Sequence, residues 1–271
     1  MSVAISNQAQ ALIQSCDKVT AEASTGAELF GLVDLLIDNP QLCRGLFDSN
    51  GSLENRRGLA KQIFSENLGE PACEILDAAL TVNWNDPREA LAALEVQALR
   101  VQLRCSEADI DEITQQLAAL SRAVINSPEL MATITDQTID LDARRDLISE
   151  LVPSGSPETV SLLARRAINS VVFGSVAFSE NLRSYATASA DIRGRQLALA
   201  TVAKPLSDRQ RQSLSLSLER LYERPTDLLE IIDPEVIGGV RVEIGDEVID
   251  GTIRAKLNEA EHAVQSLNEE S

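Results

Sequence analysis

Between Ile110 and Val124 the apolar residues Ile110, Ile113, Leu117, Leu120 and Val124 step by 3, 4, 3 and 4, which is one face of an α-helix. The end of the chain repeats the pattern: Ile253, Leu257, Ala260, Val264 and Leu267 form a second clean stripe. His262 lies nine residues from Ile253, about 180° round such a helix, so it is expected to face solvent. Ser127-Pro128 closes one helix and opens the next, since proline in a first turn gives up no hydrogen bond. Ser156-Pro157-Glu158 has the same form and predicts a helix over 157–168 with Ser156 as N-cap. Helices of this kind run to about residue 190.

The helical region repeats itself. DNPQLCRGLFDSNGSLENRRGLAKQI (38–63) and NSPELMATITDQTIDLDARRDLISEL (126–151) share Pro40/Pro128, Leu42/Leu130, Asp48/Asp136, Leu53/Leu141, Arg56-Arg57/Arg144-Arg145 and Leu59/Leu147, all at an offset of 88 residues without a gap. Upstream, Leu29, Leu32 and Leu36 fall on Leu117, Leu120 and Val124. Downstream, each copy meets a proline-started helix, at Pro71 and Pro157, where the offset slips to 86. An internal duplication of a helical unit explains this register.

After residue 195 the period changes. Leu197–Ala203 reads as a strand, 208–222 as a helix with Leu214, Leu218 and Leu221 on one face, and Leu228–Ile232 as a second apolar run closed by Asp233-Pro234. Then comes GGVRVEIGDEVIDG (238–251). Its glycines do not suit a phosphate loop, which needs backbone N–H groups leading into a helix and usually a lysine. Here Gly238-Gly239 lead into an alternating strand, with Val240, Val242 and Ile244 on one side and Arg241 and Glu243 on the other. Gly245-Asp246 is placed for a two-residue hairpin turn, Val248 and Ile249 return, and Asp250 or Thr252 caps the last helix after Gly251. The stretch is architecture rather than a site of chemistry.

Composition narrows the functions open to such a chain. Apolar residues make up 44% but aromatics only 3%, so the cores must be aliphatic, as packed helices allow. A formal charge of −18, with no local basic cluster, disfavours nucleic acid and anionic lipid surfaces. Cys16, Cys43, Cys73 and Cys105 are evenly spread, and with a single histidine they do not form a zinc pattern; reduced thiols are expected. No metal, cofactor or catalytic residue is expected. The first residues, MSVAISNQAQALIQS, lack a basic, then apolar, leader, and the most apolar segments (170–178 and 197–203) are too short to span a bilayer. Asp109, Asp111 and Glu112 could be taken for the paired carboxylates of a hydrolase, but they open a helix, where carboxylates favour the dipole and stay solvated.

The segment DPEVIGGVRVEIGDEVIDGTIRAKL (233–257) resembles the C-terminal signature of the delta subunit of bacterial F-type ATP synthases, the oligomycin-sensitivity-conferring protein family. The matching positions are Asp233-Pro234, Gly238-Gly239, Ile244-Gly245-Asp246, Asp250-Gly251-Thr252 and Lys256-Leu257, and ATVAKPLSDRQRQSL (200–214) resembles the segment that opens the family's C-terminal domain. Lys204 stands where the family usually has a small residue. The duplicated helical region, with Asn83-Trp84 and the leucine-rich 91–124, is similar to the actinobacterial branch, which is sometimes fused to a b-type subunit; the unfused form is the one expected here. The resemblance implies a mainly α protein with a small α+β C-terminal domain: a first repeat over 1–105, a second over 106–195 and a stalk-binding domain over 196–271. It also implies a non-catalytic stator subunit at the cytoplasmic face of the membrane. Its partners would be the N-terminal helix of an alpha subunit and the C-terminal end of the b subunit, with no nucleic acid and no membrane insertion. A helical adaptor for some other partner helix is the alternative, and the first copy is the one expected to grip the alpha subunit.

Overall fold

The structure, a computed structural model, describes residues 7–22, 24–48, 51–169, 178–234, 236–245 and 247–252. The chain divides into two compact units, one ending at Ile192 and the other beginning at Arg193. The first is all helical: α1 (Asn7–Cys16), α2 (Thr25–Asp38), α3 (Pro40–Phe47), α4 (Leu53–Phe64), α5 (Glu70–Thr81), α6 (Pro87–Cys105), α7 (Ile110–Ile125), α8 (Pro128–Thr135), α9 (Leu141–Leu151), α10 (Glu158–Ala167) and α11 (Phe178–Ile192). The mainly α architecture with a small mixed sheet is the one the sequence pattern implies. The expected terminal helix, with its Ile253–Leu267 stripe and His262, lies outside the described residues.

The duplication is visible in the packing. α3 and α8, α4 and α9, and α5 and α10 begin 88 residues apart, so the helices keep the register even where the prolines slip. Pro71 sits inside the first turn of α5, whereas Pro157 is itself the N-cap of α10. Ser156 is therefore not the cap; its hydroxyl turns back to donate to the carbonyl of Pro153. Ser127 does cap α8, accepting from the N–H of Leu130. The five α7 residues that step by 3 and 4 are all buried.

Most packed pairs recur after the shift: α2 on α6 and α7 on α11, α2 on α5 and α7 on α10, α4 on α5 and α9 on α10. The shift sends α1 onto the C-terminal half of α6. Where α1 packs on α5 and α6, α6 packs on α10 and α11. Helix α6 is thus the last helix of one six-helix bundle and the first of the next. It buries residues all round, among them Ala90, Leu91, Leu94, Ala98, Leu99, Val101 and Leu103, as a helix enclosed on every side must.

The two copies solve the same packing problems with different residues. At the α2–α6 crossing Gly26 lies against Gln102; at the α7–α11 crossing the same position is Thr114, whose hydroxyl meets Ser189 at 2.5 Å. Glu28 on α2 accepts from the N–H of Gly69 at 2.7 Å and so satisfies the start of α5. In the second copy the corresponding residues are Gln116 and Pro157, and proline has no N–H to offer. Arg57 spans α4 and α5 to grip Asp77 through two 2.6 Å hydrogen bonds; between α9 and α10 the signs are reversed, with Asp146 on the earlier helix and Arg165 on the later one at 2.8 Å.

The second unit is a four-stranded sheet in the order β2-β1-β3-β4, from β1 (Gln196–Val202), β2 (Thr226–Ile232), β3 (Val240–Ile244) and β4 (Glu247–Asp250). β1 runs parallel to β2 through the crossover helix α12 (Asp208–Tyr222), while β3 pairs antiparallel with β1 and β4. Ala198, Ala200, Leu218, Val242 and Ile244 form its small core. On α12, Leu218 is buried and Leu214 half-buried, but Leu221 does not join them: it is 63% exposed, and in the last turn it is Tyr222, four residues after Leu218, that packs on the core.

A Cβ added at Gly26 would stand 2.8 Å from the Cβ and 3.0 Å from the Cα of Gln102, so α2 and α6 would have to separate. Gly31, on the same helix, has nothing within 4 Å. Gly26→Ala is expected to lower stability by roughly 1–3 kcal/mol despite alanine's better helix propensity. Gly31→Ala should raise it by up to about 1 kcal/mol. Urea denaturation of the two variants checks both signs.

Candidate functional site

Three helices converge at one buried charge cluster. Arg166 on α10 is 4% exposed; its Nε donates to Glu95 of α6 at 2.7 Å, and its Nη1 pairs with Asp34 of α2. The guanidinium also lies 5.3 Å from the ring centroid of Phe30, a cation–π arrangement. Burial pushes the guanidinium pKa down, but Glu95 and Asp34 outweigh it and hold the pKa above its ordinary value. Arg145 of α9 approaches the second oxygen of Asp34 at 3.9 Å. Nearby, Gln102 donates to Thr159 at 3.0 Å, and Ser106 and Thr159 share a hydrogen bond of 2.7 Å, joining the end of α6 to the start of α10. On the other side, Asp17, just past α1, takes a fork from Arg100 at 3.1 and 2.6 Å, while its carbonyl accepts from Arg104. None of these charges came out of the periodicity; a glutamate inside an apolar helix was the one sign available.

Two openings in the helical unit differ in character. An apolar cleft of about 330 Å³ between α4 and α5 is floored by Ala60, Phe64, Leu76 and Leu80, with the Arg57–Asp77 pair at its mouth. In the second copy a more polar cavity of about 340 Å³ is bordered by Ile134, Leu141, Arg144, Phe178 and Asn181. The fully buried Phe47 of the first copy is replaced there by the exposed Thr135, which helps to open that space. Among the described residues no group of three or more His, Cys, Asp or Glu could hold a metal ion. All four cysteines are free thiols, and burial pushes Cys43 up to about 11. Asp109, Asp111 and Glu112 sit exposed at the start of α7.

In the C-terminal unit the glycine-rich stretch is a hairpin. Ile244 pairs with Glu247, which leaves a two-residue turn; Gly245 has φ +56°, and Asp246 lies outside the described residues. Gly238 and Gly239 both have positive φ, +63° and +79°. A Cβ on Gly239 would fall 2.3 Å from the carbonyl oxygen of Gly251, so the two glycine segments of the signature touch each other. The Gly251 N–H bonds back to the carbonyl of Val240 at 2.9 Å. Asp250 accepts from the Thr252 N–H at 3.0 Å and hydroxyl at 2.7 Å, an Asx turn; the helix that it or Thr252 is expected to cap lies outside the described residues. Asp233 donates its N–H to the carbonyl of Val202, and Pro234 follows it into the turn that leads towards Gly238. The signature residues thus hold the connection from β2 to β3 and the exit from β4.

The family model for the ATP synthase delta (OSCP) subunit matches residues 101–264. The chain belongs to this family. Among curated relatives, ATP synthase subunit delta of Cutibacterium acnes is 33% identical over 91% of this chain and 95% of its own length. The subunit delta of Streptomyces avermitilis is 32% identical over 88% of both, and that of Salinispora arenicola 30% identical over 90% and 89%. These actinobacterial relatives match both helical copies. The family model instead starts inside α6, which is where the second bundle takes its first helix.

Removing Arg166 alone leaves Glu95, 1% exposed, as a buried charge without its main partner. Arg166→Met is expected to lose about 3–5 kcal/mol, and Arg166→Met with Glu95→Leu to regain most of it, since an apolar replacement of a whole buried pair is often neutral. A double-mutant cycle in urea reads the coupling directly. Gly239→Ala meets both a left-handed backbone and a backbone oxygen, and should cost more than about 2 kcal/mol in the C-terminal unit. Loss of protection in hydrogen exchange confined to 196–252 would show it.

Proposed function

We propose that this chain is a non-catalytic subunit of the peripheral stalk of an F-type ATP synthase, tying the alpha/beta head to the membrane-anchored b subunit so that the head does not turn with the rotor. Residues 1–105 and 106–195 are the two repeats of the head-binding region, and 196–271 is the stalk-binding domain. The observation that carries the reading is likeness over about nine-tenths of the chain to proteins named ATP synthase subunit delta, together with a signature whose glycines serve backbone approach. The partners are the N-terminal helix of an alpha subunit, taken by the helical region, and the C-terminal end of the b subunit. Exposed Leu216 and Leu221 on α12, Ile232 at the end of the edge strand β2, and Val248 and Ile249 on β4 offer apolar contact for the latter. No helix among the described residues is long and apolar enough to cross a membrane. The chain works at the cytoplasmic face through its partners.

Calorimetric titration of the chain with a peptide from the N-terminus of the alpha subunit of the same organism tests this. Tight binding with a negative heat-capacity change, the mark of apolar burial, is expected. Absence of binding by a folded sample would favour an adaptor for some other helix.

A further inference from the structure

The outer edge of β2 carries backbone groups that β1 does not use. β2 lies outermost in the order β2-β1-β3-β4, and its bonds to β1 fall on alternate residues, as in any parallel ladder. At one end the Gln196 N–H bonds to the carbonyl of Pro225, and at the other the Asp233 N–H bonds to that of Val202, each at 2.9 Å. This phase turns the N–H and C=O groups of the odd-numbered residues toward β1 and those of Thr226, Leu228, Glu230 and Ile232 outward. Thr226 agrees: its N–H donates to Glu219 of α12 at 3.3 Å, and its carbonyl accepts from Ser215 and Arg195, both at 3.4 Å. Helix α12 thus closes the first outward position. For the backbone of Leu228 and Ile232 no partner occurs among the described residues.

Sheets guard such edges with proline, lysine, unpaired charge or a short strand. β4, at the opposite edge, has four residues with an acid at each end, Glu247 and Asp250. β2 has seven, TDLLEII, with neither proline nor lysine. Its two carboxylates are held elsewhere: Asp227 accepts from Arg195 at 2.6 Å, and Glu230 accepts from Arg211 at 2.6 Å and from the Leu206 N–H at 3.0 Å. Beside this edge runs a groove of about 340 Å³ between α12 and β2, bordered by Gln212, Leu216 and Leu228, with Leu216 44% exposed.

We infer that this edge takes an extended segment as an added strand, paired with Leu228 and Ile232 and flanked by Leu216, and that the segment comes from the C-terminal end of the b subunit. This rests on the stator reading and adds how the stalk is gripped. A helix uses its own backbone groups internally; it could lie in the groove but not satisfy those of Leu228 and Ile232. An extended chain does both, with its backbone on β2 and every second side chain toward Leu216. Charge argues against a second copy of this chain as the occupant. The groove is lined by Asp208, Glu219 and Asp227 against one guanidinium, Arg211, and the chain itself carries −18. The incoming strand is therefore neutral or basic, with apolar residues two apart.

The test is a peptide from the C-terminal end of the b subunit of the same organism, titrated into the full chain and followed by residue-resolved amide exchange in NMR. Protection with a period of two is expected: the amides of Leu228 and Ile232 slow at least about tenfold, while those of Leu229 and Ile231, already bonded to β1, change less than about twofold. Ile232→Pro removes an outward N–H and no ladder bond, so the sheet should keep its stability while affinity for the peptide falls at least about tenfold. Leu216→Asp, at an exposed position of α12, should lower the affinity at least about fivefold. Binding without the alternation, or with an affinity that neither variant changes, would overturn the inference and leave the stator reading in place. So would failure to bind this peptide by a chain that binds the alpha-subunit peptide. Binding of neither peptide by the folded chain would remove both.

Discussion

Helix α6 has to satisfy two bundles at once, and most of the helical unit follows from that. A helix on the rim of a bundle can send its polar residues to water; α6 cannot, because α1 and α2 lie on one side and α10 and α11 on another. Its small residues, Ala90, Ala93 and Ala98, let neighbours approach, and its leucines fill the space on both sides. The charge it retains inside, Glu95, is stable there through Arg166, and Arg166 in turn brings in Asp34. A buried ion pair adds little net stability over a well-packed apolar core. What this one adds is specificity of register, since shifting α10 along α6 would strand two charges in a low dielectric.

Duplication explains why such a helix exists. A bundle copied in tandem with its own first helix would leave two bundles joined by a linker, free to move. Sharing α6 removes the linker, and the shared helix makes the pair one compact unit. The copies then diverged as packing allowed. At the α2–α6 crossing glycine lets the helices close on each other, at the α7–α11 crossing threonine bonds Ser189 instead, and the N–H of Gly69 that Glu28 satisfies has no counterpart at Pro157. The second copy has Thr135 where the first has Phe47, and a cavity borders that position.

Much of this was legible in the residues. The 88-residue register, the buried face of α7, the Ser127 cap, the strand at 197–203 and the hairpin after Gly239 all follow from local rules of period and turn chemistry. The failures have physical causes. Ser156 looked like a cap because it precedes Pro-Glu, but the chain is already extended at Pro157, and the serine satisfies a carbonyl instead. Leu221 falls near the apolar face of α12 by spacing, yet the stripe that meets the sheet runs Leu214, Leu218, Tyr222, which leaves Leu221 at its margin. The role of α6 was hidden for a deeper reason. A helix buried on all sides has little amphipathic period, so the reading that finds rim helices is blind to the one between two bundles.

The same blindness bears on function. Sequence kinship assigns a site to the bundle whose residues match the family, and here that is the second. Whether a face can take a partner depends instead on what already covers it, which is a property of neighbours rather than of the face's own residues. Ala98 and Leu99 stand where α1 has the exposed Gln10 and Ala11, yet they are buried, because α6 is enclosed by more helices than α1 is.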